Sequence, residues 1–318
     1  MIGLYRRLRH AGVLGLNDRN ANYIMRRNPR RLYPLVDNKI LCKNRLIEHA
    51  IAVPTLLGEI SSQYEAGHLQ QRLSGLGEFV IKPASGSGGD GIIVISGRQR
   101  AGWVTSSGRL LSLSDLQYHV AGILAGMYSL GGRPDSAMIE ALIHPDPILK
   151  QIAPEGVADI RIIVYRGVPV MAMMRLPTRR SGGKANLHQG AIGAGVDMAT
   201  GVTLKAVMNS SVVDLHPDTS EPVEAFELPE WPGLLQTAAR CHNAIPLGYL
   251  GVDLVLDRDH GPLVLEMNAR PGLAIQIANG AGLAKRLKRI DRLQDPESLE
   301  PQERASIAVA LAESNWDD

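Results

Sequence analysis

Apolar residues along this chain fall into short β-branched runs punctuated by turn residues. Phe79-Val80-Ile81 leads into Lys82-Pro83, and Ile92-Ile93-Val94-Ile95 follows a glycine-rich stretch, so both read as strands. Residues 136–143, 160–166 and 168–175 read the same way, the last two joined by Arg166-Gly167. The runs 249–257 and 262–268 flank Arg258-Asp259-His260-Gly261, which predicts an antiparallel hairpin. Helical patterns cover 38–51, with Asp37 as cap and Leu41, Leu46 and Ile47 on the apolar side. Further helices are expected over 62–76, 114–129, 229–245 with Pro232 near its start, 273–290 and 302–313. A strand is expected to start at Ile51-Ala52-Val53-Pro54-Thr55. Residues 176–195, rich in glycine, proline and serine, read as a site-lining loop.

The stretch Ala84-Ser85-Gly86-Ser87-Gly88-Gly89-Asp90-Gly91 satisfies G-x-G-x-x-G, but a strand follows it where a dinucleotide fingerprint needs a helix. A Walker A loop is excluded because its lysine follows the glycines, whereas Lys82 precedes them. A protein kinase shares the hairpin, yet no H-R-D or D-F-G string occurs. Strand, glycine loop, strand describes a flap over a ligand. Glycines let backbone amides approach phosphate oxygens, Ser85 and Ser87 add hydroxyls, and Lys82 brings a point charge. A loose surface hairpin with a snorkelling lysine has the same composition.

The second hairpin carries Asp253 on one strand, then Glu266 and Asn268 on the other. Residues i and i+2 of a strand share a face, so Glu266 and Asn268 point one way and Asp253 can face them. Two carboxylates and an amide oxygen make a hard set suited to Mg²⁺, with Mn²⁺ as a substitute. The alternative is ordinary strand-end charges, but burying two like charges on one face without a cation is costly. Zinc is a poor fit, since neither Cys42 nor Cys241 has a suitably spaced partner. Arg270 follows at once, placed to neutralise developing negative charge or to pair with one of the carboxylates.

The 318 residues suffice for two packed subdomains, and 45% hydrophobic with 21% charged is ordinary for a soluble globular protein. No apolar run reaches membrane-spanning length and no signal-peptide pattern opens the chain, so a cytoplasmic location is expected. Net charge is +2, yet residues 1–31 hold eight arginines against one acid, Asp18. Such a segment suits nucleic acid, an anionic membrane surface or an acidic protein, or else is a solvated helical arm packing on the core. Aromatics at 4% weaken a base-stacking role.

The two motifs together resemble ATP-grasp enzymes. Residues 136–290 are most similar to the ribosomal-protein glutamate ligases and related glutamate ligase-like proteins. The strings that carry this are Met138-Ile139-Glu140-Ala141-Leu142-Ile143, Asp159-Ile160-Arg161-Ile162-Ile163-Val164, Asn186-Leu187-His188-Gln189-Gly190, Gly251-Val252-Asp253 and Glu266-Met267-Asn268-Ala269-Arg270-Pro271-Gly272. The resemblance covers roughly residues 37–290. It implies an α+β fold in which two subdomains clamp ATP. The expected division is a basic arm over 1–36, an N-terminal subdomain over 37–140, a C-terminal subdomain over 141–290 and a tail over 291–318.

The resemblance also implies roles. Lys82, Lys39 and the flap residues Ser85, Gly86, Ser87, Gly88 and Gly89 would handle the nucleotide phosphates. Glu140, Ala141, Leu142 and Ile143 would form the hinge against adenine, mostly through backbone groups. Lys184, Asn186 and His188 would line the site, and Asp253, Glu266 and Asn268 would hold magnesium. Arg161, Arg175 and Arg270 would handle the acyl phosphate or the substrate carboxylate. Three features depart from the family. About 36 residues precede Asp37 where relatives carry a full α/β domain, Lys184 stands where the glutamate ligases have arginine, and the connection 97–135 is long. The implied activity is ATP-dependent joining of a small-molecule or peptide carboxylate to an amine, with glutamate the first candidate substrate. The alternatives are a non-catalytic nucleotide- or nucleic-acid-binding module and a phosphotransferase on the same fold. Nucleic acid is the less favoured partner, and self-association is left open.

Overall fold

The computed structural model describes residues 2–86, 88–129, 131–209, 211–314 and 316. The chain divides into two units, each built on an antiparallel sheet. The smaller unit comprises Asn38–Ile40 and Pro54–His144, and the larger comprises residues up to Asp37, Leu41–Val53 and those from Pro145 onward.

The smaller unit holds six strands: β1 Leu56–Ile60, β2 Phe79–Pro83, β3 Ile93–Gln99, β4 Gly102–Thr105, β5 Leu110–Leu111 and β6 Ala137–Glu140. Their order is β1-β6-β2-β3-β4-β5. Phe79 and Ile81 project into a core with Ile95, Trp103 and Ile139. The helix Leu113–Leu124 closes that core with Leu116, Val120 and Ile123, capped by Ser112 and Asp115 in a capping box. The long connection 97–135 therefore supplies β4, β5 and this helix. The helix stops short of the expected residue 129, because Gly126 turns at φ +83, where a side chain would collide with the Arg133 carbonyl.

The larger unit holds β7 Asp159–Tyr165, β8 Val168–Leu176, β9 Ile192–Val196, β10 Thr203–Met208, β11 Ser211–Val213, β12 Tyr249–Asp257 and β13 Gly261–Asn268. Their order is β11-β10-β9-β8-β7-β12-β13. Helices Trp231–Ala244 and Pro301–Glu313 pack against β8, and Trp231–Ala244 also against β7 and β12. Every residue of β12 is buried, which is why it reads as a near-continuous apolar run, interrupted by Asp253, and not as alternation. Each buried Val, Leu or Ile there contributes about 1.5–3 kcal/mol of burial energy. No described helix is long and apolar enough to cross a membrane.

Several expectations are corrected. Asn38, not Asp37, caps the helix Lys39–Glu48, its Oδ1 accepting the Ile40 amide at 2.9 Å. Leu41 and Ile47 are exposed, while Ile40, Cys42, Lys43 and Leu46 form the buried side. The stretch 51–55 precedes β1 and is not itself a strand. The expected helix 62–76 breaks at His68 into Gln63–Gly67 and Leu69–Arg72. The expected helix 273–290 divides into Ile275–Asn279 and Leu283–Asp291 at Gly280, which has φ +58. The arginine-rich residues 1–36 are not a separate arm. Leu14, Tyr23, Ile24 and Val36 join the larger unit's core, as do Ala305, Ala308 and Trp316 from the expected tail. Most of the helix after Ile40 also belongs to that unit.

Candidate active site

In the larger unit the functional residues form a row across three strands. Arg161 on β7 lies opposite Asp253 on β12, and Asp253 lies opposite Glu266 on β13. A bulge follows at once, since the next pair is Leu254 with Val264. The extra residue, Leu265, resets the alternation so that Glu266 faces Asp253. Asn268 then lies on the same face as Glu266, its Nδ2 donating to Glu266 Oε1 at 3.2 Å and to Asp253 Oδ2 at 3.4 Å. The three expected metal-binding side chains are therefore together.

The arginines meet the same carboxylate. Arg161 forms a bidentate pair with Asp253, Nε to Oδ1 at 2.6 Å and Nη2 to Oδ2 at 2.5 Å. Arg175 donates Nη2 to Asp253 Oδ2 at 2.8 Å and forms its own bidentate pair with Asp159 at 2.5 and 2.6 Å. Burial works to raise the Asp253 pKa, but the two guanidinium groups outweigh it and hold it at about 2. Asp159 is pushed up to about 6 by burial, with Arg175 opposing and the Asp253 charge adding. Burial works to lower the Arg175 pKa, and the two aspartates more than reverse it.

Asp253, Glu266 and Asn268 could hold a hard divalent cation through their oxygens, the Asn268 amide then turned to present Oδ1. Among the described residues no three His, Cys, Asp or Glu cluster as metal ligands, so the set depends on its amide member.

Arg270 sits beyond the strand end, half exposed, over the Tyr33 ring at 4.9 Å and paired with Asp37 at 3.2 Å. Its carboxylate partner is thus Asp37, not a member of the metal set. Lys184, Asn186 and His188 occupy the loop between β8 and β9. Asn186 Oδ1 accepts the His188 amide at 3.0 Å and starts the short turn Leu187–Gln189, leaving the His188 side chain exposed. The loop base is pinned by Thr178 Oγ1 donating to the Gly190 carbonyl at 2.9 Å.

In the smaller unit, Lys82 and Glu140 are 5% and 3% exposed and form a buried ion pair. Glu140 thus has a side-chain role beyond the backbone one expected of it. The Ala141 amide donates to the Thr55 carbonyl at 2.9 Å, and Ala141, Leu142 and Ile143 of the expected hinge all have irregular backbone after β6. Lys39 Nζ reaches the Gly86 carbonyl at 2.5 Å, joining two residues expected at the nucleotide phosphates. Gly88 and Gly89 adopt φ +68 and +79, as a glycine flap requires. Ser87 lies outside the described residues. The Ser85 amide is taken by Asp135 Oδ2 at 2.8 Å, so Ser85 offers its hydroxyl only. Sequence reasoning missed Asp159, Asp135 and Tyr33. Asp159 carries the one legible signal, an acid opening a largely apolar strand.

These features define an ATP-grasp protein of α+β class. Residues 18–292 match the sugar-transfer associated ATP-grasp family, and the chain belongs to it. A probable alpha-L-glutamate ligase 1 of Shewanella frigidimarina is 29% identical over 141 residues, 44% of this chain and 36% of that protein. One of Hahella chejuensis is 31% identical over 130 residues, 41% of this chain and 32% of that protein. The matched stretch thus spans about a third of these curated relatives. Among solved structures, D-alanyl-alanine synthetase A from Vibrio cholerae has a TM-score of 0.48 at 12% identity, covering 89% of this chain and 67% of that one. A RimK domain protein from Sphaerobacter thermophilus has a TM-score of 0.45 at 13% identity, covering 83% and 70%.

Proposed function

We propose that this protein is an ATP-dependent carboxylate–amine ligase working through an acyl phosphate. The observation that carries the reading is the cross-strand row of Arg161, Asp253 and Glu266, with Asn268 beside it. Family membership and the partial similarity to glutamate ligases support it.

A carboxylate is a poor acyl donor because hydroxide is a poor leaving group. Transfer of the γ-phosphoryl group to a carboxylate oxygen gives an acyl phosphate and ADP. The amine then attacks the acyl carbon, inorganic phosphate leaves, and the ammonium formed loses a proton. Protein residues position groups and neutralise charge. Lys82, Lys39 and the glycine flap hold the nucleotide phosphates. Asp253, Glu266 and Asn268 would hold a divalent cation, which supplies charge neutralisation at the phosphates. Arg270, steadied by Asp37 and Tyr33, offers a cation to the acyl oxyanion, a contribution of about 2–4 kcal/mol for one such donor. Arg161 and Arg175 fix Asp253.

Glutamate is the first candidate substrate. The family's association with sugar transfer extends the search to amino sugars and sugar acids. The test is ADP release across a panel of amino acids, short peptides, amino sugars and sugar acids, with mass spectrometry of the products. An amide product formed with ADP supports the reading; ADP release with a phosphorylated hydroxyl compound and no amide replaces it with phosphotransfer.

A further inference from the structure

Asn28 lies in the arginine-rich segment, outside every motif read from the sequence, and is 3% exposed. Its amide continues the β12–β13 ladder past the point where the strands stop pairing. Nδ2 donates to the carbonyl of Tyr249, the first residue of β12, at 2.7 Å, and to that of Ala269, just after β13, at 2.9 Å. Oδ1 accepts the Tyr249 amide at 2.9 Å. Direct pairing of the strands ends at Gly251 with Asn268. One side chain therefore spans the gap where two backbones diverge, three bonds at once.

Arg19 secures the next step. It is buried while the other arginines of the segment are exposed, and its Nη1 donates to the Pro271 carbonyl at 2.6 Å. The backbone is tied alongside, the Gly248 amide donating to the Arg27 carbonyl at 3.0 Å. Further back, Gln276 brackets Leu14, accepting its amide at 2.8 Å and donating to its carbonyl at 3.1 Å. Asn268 and Arg270 thus sit on a short stretch in which the Ala269 carbonyl is held by Asn28 and the Pro271 carbonyl by Arg19. The family match begins at residue 18, so both gripping residues fall inside it.

We propose that Asn28 is a positioning residue for the cation set: it fixes the separation of β12 and β13 beside Asn268, and Arg19 locks the turn after Arg270. This rests on the ATP–cation reading of the site. The segment's role is then internal, and its one buried arginine, not its exposed ones, does that part.

The test is calorimetric titration of Mn²⁺ into the full-length protein with ADP present, alongside thermal melting. Asn28→Ala is expected to weaken Mn²⁺ binding about 10- to 100-fold, the usual cost of losing an outer support of a metal set. Gln276→Ala, which loosens the same segment away from the strand ends, is expected to lower the melting temperature while leaving Mn²⁺ binding unchanged. If Asn28→Ala cannot be purified folded, Arg19→Gln carries the same test with the same expected direction. Wild-type binding with equal binding by the variant overturns the positioning role alone. Wild-type protein that binds no Mn²⁺ with ADP overturns the site reading, and this inference with it.

Discussion

Arg161 and Asp253 meet in a bidentate pair across β7 and β12, at 2.6 and 2.5 Å, with Asp253 2% exposed. Removing one partner of such a buried pair strands the other charge, at a cost of about 3–5 kcal/mol. Asp253→Asn is therefore expected to lower urea-unfolding stability by that order and to abolish turnover. The double replacement Asp253→Leu with Arg161→Met is expected to recover much of the stability and none of the activity. Urea denaturation and ADP release on the same samples separate the two effects.

Lys82 and Glu140 repeat this logic in the smaller unit. Lys82→Met leaves a buried carboxylate without its lysine, again costing about 3–5 kcal/mol. Adding Glu140→Gln is expected to return most of that loss, because the two sites couple directly. Neither variant is expected to release ADP. A double-mutant cycle in urea gives the coupling, and recovery of turnover in the double variant would remove Lys82 from the phosphate-handling role.

Gly251 has no room for a side chain. A Cβ there would lie 2.7 Å from the Pro271 Cβ and 3.6 Å from the Asn268 Cβ. Gly251→Ala forces Pro271 aside, at about 1–3 kcal/mol for overpacking. Since Pro271 follows Arg270 directly, the cation affinity measured by Mn²⁺ titration is expected to fall as well. Unchanged affinity would separate the hairpin end from the site.

Two histidines give a pH dependence. Burial lowers the His119 pKa below 6.5, opposed by the bond from its Nε2 to the Gly91 carbonyl at 2.9 Å. Burial likewise lowers His242, opposed by its bond to the Leu247 carbonyl. Between each depressed folded value and 6.5 the unfolded chain binds more protons. Stability therefore rises with pH across that window and is fully expressed above it. Melting curves between about pH 5 and 8 are expected to show this rise, opposed at the acid end by Asp159, whose pKa of about 6 makes its own contribution fall as pH rises. His119→Gln and His242→Gln are each expected to flatten it.

The hairpin that carries the site was legible because a single strand period places Glu266 and Asn268 on one face, and a short turn brings the strand of Asp253 alongside them. The bulge at Leu265 was not legible, because nothing in an apolar run marks the extra residue. The destination of Arg161 and Arg175 was also hidden. Their partners, Asp253 and Asp159, lie 92 and 16 residues away, and only the register of β7, β8 and β12 brings them together. The work of the N-terminal segment was hidden for a different reason. Its composition is dominated by exposed arginines, while its work in the fold falls to Asn28 and Arg19, two polar residues that composition cannot single out. The cap lies at Asn38, one position on from Asp37, because the helix starts at Lys39.

The central claim is that the Asp253, Glu266 and Asn268 face serves ATP-driven amide formation. Its most direct measurement is ADP release by purified protein, with Mg²⁺ and a carboxylate–amine panel, coupled to mass spectrometry. The account predicts ADP in step with an amide product that bears the mass of both substrates less water, lost in Glu266→Ala. Amide formation that persists undiminished in Glu266→Ala, or wild-type protein that releases no ADP with any pair, would contradict it.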